Sequence, residues 1–229
     1  MKSAYRYILL ISLVALSLLN ACKKQDLPQT DMAYDYFDLT YGRYIIYDAV
    51  KITHDAAQAV HDTNYYQMKT VIGDTIIDNE GRVANRYLRY FRNSELDAWV
   101  LQDIYTTIIE DRRAELVEEN QRVIKLVFAP TLSKSWNANS FNLLPSMDCY
   151  YRAIHKKANI GALSFDSTLI VEQADFSSLI GHERKYEVYA KGVGMVYKYF
   201  KDLDIANFDT LNVKKGDELF LTINSYGIE

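Results

Sequence analysis

Cysteine is scarce in this chain: two among 229 residues, Cys22 and Cys149. With Cys22 consumed by the modification argued below, only Cys149 remains, no intramolecular disulfide can form, and stability must come from a packed core. Basic charge is also in short supply. Lys and Arg total 26 against 30 Asp and Glu, a formal charge of −4 that becomes −6 once Lys2 and Arg6 are set aside. That sign argues against nucleic acid or anionic head groups as partners held through net charge. No Gly/Ser linker, charge block or low-complexity tract divides the chain after Thr30, so residues 31–229 are expected to form a single domain. Enzyme signatures are missing too. Gly-x-Ser-x-Gly, His-Glu-x-x-His, Cys-x-x-Cys and the dinucleotide fingerprint do not occur, so nothing in the sequence implies a cofactor or a motif-borne reaction.

What is present begins at the N-terminus. A basic start (Lys2, Arg6), an apolar run from Tyr7 to Leu19 interrupted by Ser12 and Ser17, and small Ala21 follow one another in the order of a secretory signal. The run is shorter than the roughly 20 residues that span a bilayer. Leu19-Asn20-Ala21-Cys22 resembles a bacterial lipobox, which implies a signal peptide over 1–21 and lipidation of Cys22 as the first residue of the mature chain. Several acyl chains on that residue convert marginal membrane affinity into stable attachment. Residues 22–30, with Gln25, Pro28 and Gln29, read as a tether. Lys23 stands where an aspartate resembling an inner-membrane retention signal would stand, which favours the outer membrane, facing either the periplasm or the exterior.

Beyond the tether, period two dominates. Tyr66, Met68, Thr70 and Ile72 share one face of a segment whose other face carries Gln67 and Lys69, the pattern of a half-buried strand. Further strands are expected at 43–53, 84–92, 98–109, 113–117, 122–128, 148–155, 166–173, 186–191, 195–200 and 218–224, with Glu118-Glu119-Asn120-Gln121 as a hairpin connection. Short helices are expected only around 55–60 and 176–183. The fold class is therefore mainly β: an antiparallel sheet forming a sandwich or a half-open barrel, with one or two short helices. Gly192-Val193-Gly194 reads as a bulge or sharp bend, and Gly42 as the turn into the first strand.

The opening Tyr36-Phe37-Asp38-Leu39-Thr40-Tyr41-Gly42-Arg43-Tyr44-Ile45-Ile46-Tyr47-Asp48 resembles that of uncharacterised Bacteroidetes lipoproteins. Ile72-Gly73-Asp74-Thr75, Trp136-Asn137-Ala138-Asn139 and Tyr189 to Tyr197 fit the same pattern. This resemblance implies an outer-membrane lipoprotein and no assigned reaction. The β-rich pattern with its late Gly-Val-Gly is also weakly similar to periplasmic lipoprotein-carrier folds, which implies a curved sheet sheltering acyl chains.

Nineteen tyrosines, two of them before Cys22, are the most unusual feature of the composition. A tyrosine ring packs between strands and also serves sugar and peptide surfaces, because it is apolar with a bonding hydroxyl. The pairs Tyr65-Tyr66 and Tyr150-Tyr151 must point to opposite faces if they lie on strands, so one ring of each is expected on an outer or cavity-facing surface. Trp136, in the loop expected over 133–140, is a further candidate for an exposed ligand or partner contact. His54-Asp55 and His61-Asp62 invite comparison with metal-dependent hydrolases, but a helix would hold the two imidazoles about 10.5 Å apart along its axis, and on strands the spacing decides nothing. With no recognisable further ligands, no metal site is assigned. His155 and His182 stand alone, and Cys149 beside Asp148 reads as a small buried residue.

Three function classes follow. A non-catalytic domain would contact another envelope protein, a glycan or a peptide through a packed core and an exposed aromatic patch. A carrier would need an unfilled apolar cavity for a lipid or similar ligand. An envelope hydrolase would need converging polar groups with shifted pKa values. The first is favoured on sequence alone. Replacing Cys22 with Ser should move the protein from the membrane fraction to the soluble fraction; unchanged retention in membranes would rule out the lipobox reading.

Overall fold

The computed structural model describes residues 30–229, so the signal-like segment, Cys22 and the tether up to Gln29 lie outside the described residues. Met32–Glu229 form one compact unit. Twelve strands make it up: β1 (Arg43–Asp55), β2 (Val60–Ile77), β3 (Val83–Arg92), β4 (Val100–Glu110), β5 (Arg113–Glu118), β6 (Gln121–Val127), β7 (Ser135–Asn137), β8 (Asp148–Ile160), β9 (Leu163–Ser177), β10 (Gly181–Ala190), β11 (Gly194–Ala206) and β12 (Asp209–Ile228). They form a single antiparallel sheet in the order β6-β5-β4-β3-β2-β1-β12-β11-β10-β9-β8-β7. The first and last strands pair with each other in the middle, and the two edges are β6 and short β7.

These edges approach one another, so the sheet is nearly closed into a barrel rather than folded into a sandwich. An unpaired edge is a row of unsatisfied N–H and C=O groups. Here β6 is satisfied largely by side chains and a loop. The Ile124 N–H donates to the Ala138 carbonyl at 2.9 Å, the Trp136 indole N–H donates to the Ile124 carbonyl at 3.1 Å, and the Asn142 amide donates to the Arg122 carbonyl at 2.8 Å. Tyr151 serves both groups of one residue. Its hydroxyl accepts from the Val127 N–H at 2.9 Å and donates to the Val127 carbonyl at 2.8 Å.

All the strands expected from period two are present, many of them longer than the pattern suggested; β7, inside the stretch read as a loop, is the addition. At the hairpin between β5 and β6, Glu119 and Asn120 have φ of 48° and 62°, the geometry of the two-residue turn that matches strand twist. Residues 55–60 contain a single 3-10 turn, Ala56–Gln58. The helix expected over 176–183 is not there. Residues 176–177 end β9, Gly181 begins β10, and the Ser178 hydroxyl accepts from the Gly181 N–H at 2.9 Å, holding a tight turn between them. Of the two expectations for Gly192-Val193-Gly194, the sharp bend is the one found: it connects β10 to β11. Gly192 adopts φ of 73° there and donates its N–H to the Asp35 carbonyl at 2.7 Å.

The segment before β1, with its 3-10 turn Tyr34–Tyr36, packs into the barrel. Tyr36 is fully buried, its hydroxyl bonded to His155 Nδ1 at 2.8 Å and to Ser167 Oγ at 2.7 Å. It joins Ala114, Leu126, Phe128, Tyr151, Leu169 and Tyr189 in one apolar cluster, while Ile45, Tyr47, Met68, Val196, Leu221 and Ile223 anchor a second.

Tyr151→Phe keeps the ring and removes both bonds to Val127. The expected result is a loss of about 1–3 kcal/mol, seen as a melting temperature lower by several degrees, with faster amide exchange at the β6 edge; an unchanged melt and unchanged exchange would show that the seam is held elsewhere.

Candidate functional site

Strict alternation turns one face of each strand inward. Ile45, Tyr47 and Lys51 of β1, Tyr66, Met68, Thr70 and Ile72 of β2, and Tyr87, Arg89 and Phe91 of β3 face β11 and β12 residues such as Phe200, Leu219 and Leu221 across an unfilled cavity of about 430 Å³. Phe37, Asp38 and Leu39, from the segment before β1, complete its wall. Asp38 is fixed by Arg43, whose guanidinium reaches its carboxylate at 2.8 Å, and Phe37 packs against Tyr189 with ring centroids 6.4 Å apart.

One side of this mainly apolar chamber is ionic. Where β5 presents Ala114 and Glu115, β6 answers with Leu126 and Ile124, so Lys125 is the extra residue of a bulge. A bulge re-aims a side chain, and Lys125 lines the cavity. There Lys125 Nζ lies 2.7 Å from Oε1 of Glu187, a residue of β10 that is 0% exposed. The Tyr189 hydroxyl donates to Oε2 at 2.7 Å, and Lys198 Nζ lies 3.5 Å from Oε1. Burial alone would raise the Glu187 pKa, but the two ammonium groups and the hydrogen bonds from Lys125 and Tyr189 outweigh it and hold the carboxyl at about 2. Lys125 moves the opposite way. Burial lowers its pKa, and the attraction of Glu187 and Glu118 more than reverses that. Arg89 is satisfied by Asp103 at 2.8 Å and the Tyr105 hydroxyl at 2.9 Å, and burial pushes the Tyr87 phenol up to about 12. In the cavity, then, the displaced ionisations move away from neutral pH, which suits binding and opposes proton transfer.

The sequence candidates fall in different places. As alternation required, Tyr66 faces the cavity while Tyr65 points outward, 69% exposed. Tyr150 is outward and 43% exposed, whereas Tyr151 is buried in the seam. Trp136 is half-buried, its indole bonded to β6 and its ring 5.0 Å from that of Tyr151, so it contributes to closure instead of projecting from a loop. Cys149 is buried and its thiol is pushed up to about 12, by burial first and then by Glu187. His155 bonds Tyr36 and His182 bonds the Ser177 hydroxyl. His54 and His61 are direct cross-strand partners. Among the described residues, no group of three or more His, Cys, Asp and Glu side chains is placed to hold a metal ion.

Lys125 and Glu187 were not singled out from the sequence. The available signal was a charge inside an apolar strand, Ile124-Lys125-Leu126 and Tyr186-Glu187-Val188, but pairing them required the closed barrel.

No family model, curated protein or solved structure matches the chain.

Because the Glu187 pKa is depressed on folding, its ionised form stabilises the protein above the usual carboxylate range, and that contribution is lost as pH falls from about 5 towards 2. In Glu187→Gln this part of the acid sensitivity should disappear, and at pH 7 the variant should be less stable by roughly 3–5 kcal/mol because Lys125 is left buried without its partner. Melting curves by circular dichroism across that pH range test both statements; parallel pH profiles would contradict the first, and equal stability at pH 7 the second.

Proposed function

We propose that this protein is a lipid-anchored envelope protein whose barrel binds a small amphipathic ligand, an apolar body with a charged or polar end, in the chamber between β1–β3 and β10–β12. The observation that carries this reading is the unfilled cavity of about 430 Å³, walled by Tyr47, Met68, Phe91, Leu219 and Leu221 and ionic at Lys125, Glu187 and Lys198. Its size falls in the range of small-molecule sites, about 300–1,000 Å³, and apolar walls with a few placed polar groups are their usual make-up. Anchoring through Cys22, outer-membrane location and a role among envelope components belong to the same proposal and rest on the N-terminal sequence.

The other two classes have less in their favour. An interaction domain would be supported by a contiguous exposed aromatic patch. Of the two candidate pairs, the exposed rings Tyr65 and Tyr150 sit on β2 and β8, which β1, β12, β11, β10 and β9 separate in the sheet, and the contiguous rings Tyr186, Tyr197, Tyr199 and Phe220 on β10–β12 are half-buried. A hydrolase would be supported by a carboxyl with raised pKa in the cavity, whereas that of Glu187 is lowered by two lysines; Glu172, whose pKa burial raises, does not line the cavity and lies between Arg152 and Arg184.

Titration of the Cys22→Ser chain with a polarity-sensitive fluorescent fatty-acid probe should give saturable one-to-one binding. Met68→Trp, which fills the chamber, should weaken it at least tenfold while leaving the melting temperature within a few degrees. Absence of saturable binding, or equal binding by the filled variant, would refute the cavity reading.

A further inference from the structure

We propose that His54 and His61 form a binding site for a divalent transition-metal ion, held between their Nδ1 atoms at the β1–β2 hairpin. The proposal is independent of the cavity reading. Its basis is a pair of ring nitrogens that face each other at 3.0 Å.

The hairpin creates this approach. Asp55 pairs with Val60, and its carboxylate accepts the Gln58 N–H at 3.2 Å, capping the turn Ala56–Gln58. Ala59 closes the connection at φ of 56°, and His54 then stands directly opposite His61. Seven residues apart in sequence, the two imidazoles have centroids 4.7 Å apart.

The proton inventory is set from the other side. His54 Nε2 lies 3.0 Å from Glu218 Oε1, and Lys201 Nζ lies 2.6 Å from Glu218 Oε2. The Glu218 carboxylate, held by Lys201, accepts from His54 Nε2–H, which leaves His54 Nδ1 turned towards His61. His61 is exposed, and its proton can reside on either nitrogen. With the proton on Nε2, two lone pairs converge on one point, an arrangement that a cation between them stabilises.

Metal–nitrogen bonds of about 2.0–2.1 Å at a tetrahedral angle place the nitrogens about 3.4 Å apart, so the pair opens by only a few tenths of an ångström. A carboxylate on the far nitrogen of a ligating histidine fixes its tautomer and raises its basicity; Glu218, itself held by Lys201, occupies that position. Imidazole donors select zinc, copper or nickel over magnesium or calcium. Access is through a recess of about 330 Å³ that borders both rings and is lined by Ala56, Ala59, Val60, Leu211 and Val213. Water completes the coordination.

The test is a Zn²⁺ titration of the purified full-length chain in detergent, with the side-chain nitrogens of ¹⁵N-histidine as the readout. The expected result is a saturable shift of both Nδ1 resonances, with the His54 Nε2–H retained, and no response to Mg²⁺. His61→Ala, at an exposed position, should abolish the shift with an unchanged melting temperature. Glu218→Gln should weaken binding by about 10–100-fold. No saturable shift, a shift confined to His155 or His182, or undiminished binding by His61→Ala would overturn the proposal and leave the two rings sharing only a proton.

Discussion

A twelve-stranded sheet has two edges, and the rest of this molecule depends on how they are brought together without a continuous ladder between them. At the seam, Tyr151 bonds both backbone groups of Val127, Trp136 bonds the Ile124 carbonyl, and Ala138 takes the Ile124 N–H. Each bond replaces one that a neighbouring strand would have made, which protects an otherwise open template for edge-to-edge pairing. The ion pair of Lys125 with Glu187 acts in the same direction from inside, tying edge strand β6 to β10 across the interior. Removing either partner leaves the other charge buried without it, which costs more than the intact pair contributes.

Closure also explains why the interior is empty and ionic together. Large inward rings from Tyr47, Tyr66, Tyr87 and Phe91 coat the wall but do not meet at the centre, because a barrel of this strand number is wide. The bulge at Lys125 then directs one ammonium group into that space, where it meets Glu187, itself held by Tyr189 and Lys198. The result is a chamber with an apolar side and a charged side, the asymmetry that orients an amphipathic guest. On the outer face, buried carboxylates are clamped instead by arginines, as at Glu172 with Arg152 and Arg184.

The strand pattern was legible because alternation is local: Tyr66, Met68, Thr70 and Ile72 share a face whatever lies across from them. Helix expectation failed at 176–183 because apolar Phe176, Leu179 and Ile180 at a tight turn mimic a helical stripe, while the Ser178 hydroxyl that holds the turn leaves no periodic trace. Trp136 looked like a loop residue because β7 is only three residues long, and its indole bond is made to a strand distant in sequence.

By itself, the sequence determined a mainly β, antiparallel chain and opposite faces for Tyr65 and Tyr66 and for Tyr150 and Tyr151, since these follow from a two-residue repeat. Its N-terminal pattern also motivates the anchor proposed at Cys22. Only the tertiary structure decided that the sheet curls nearly into a closed barrel, that Lys125 meets Glu187, and that His54 faces His61. Those outcomes depend on strand register and on bulges of a single residue, and a shift of one position would send each of these side chains to the other face.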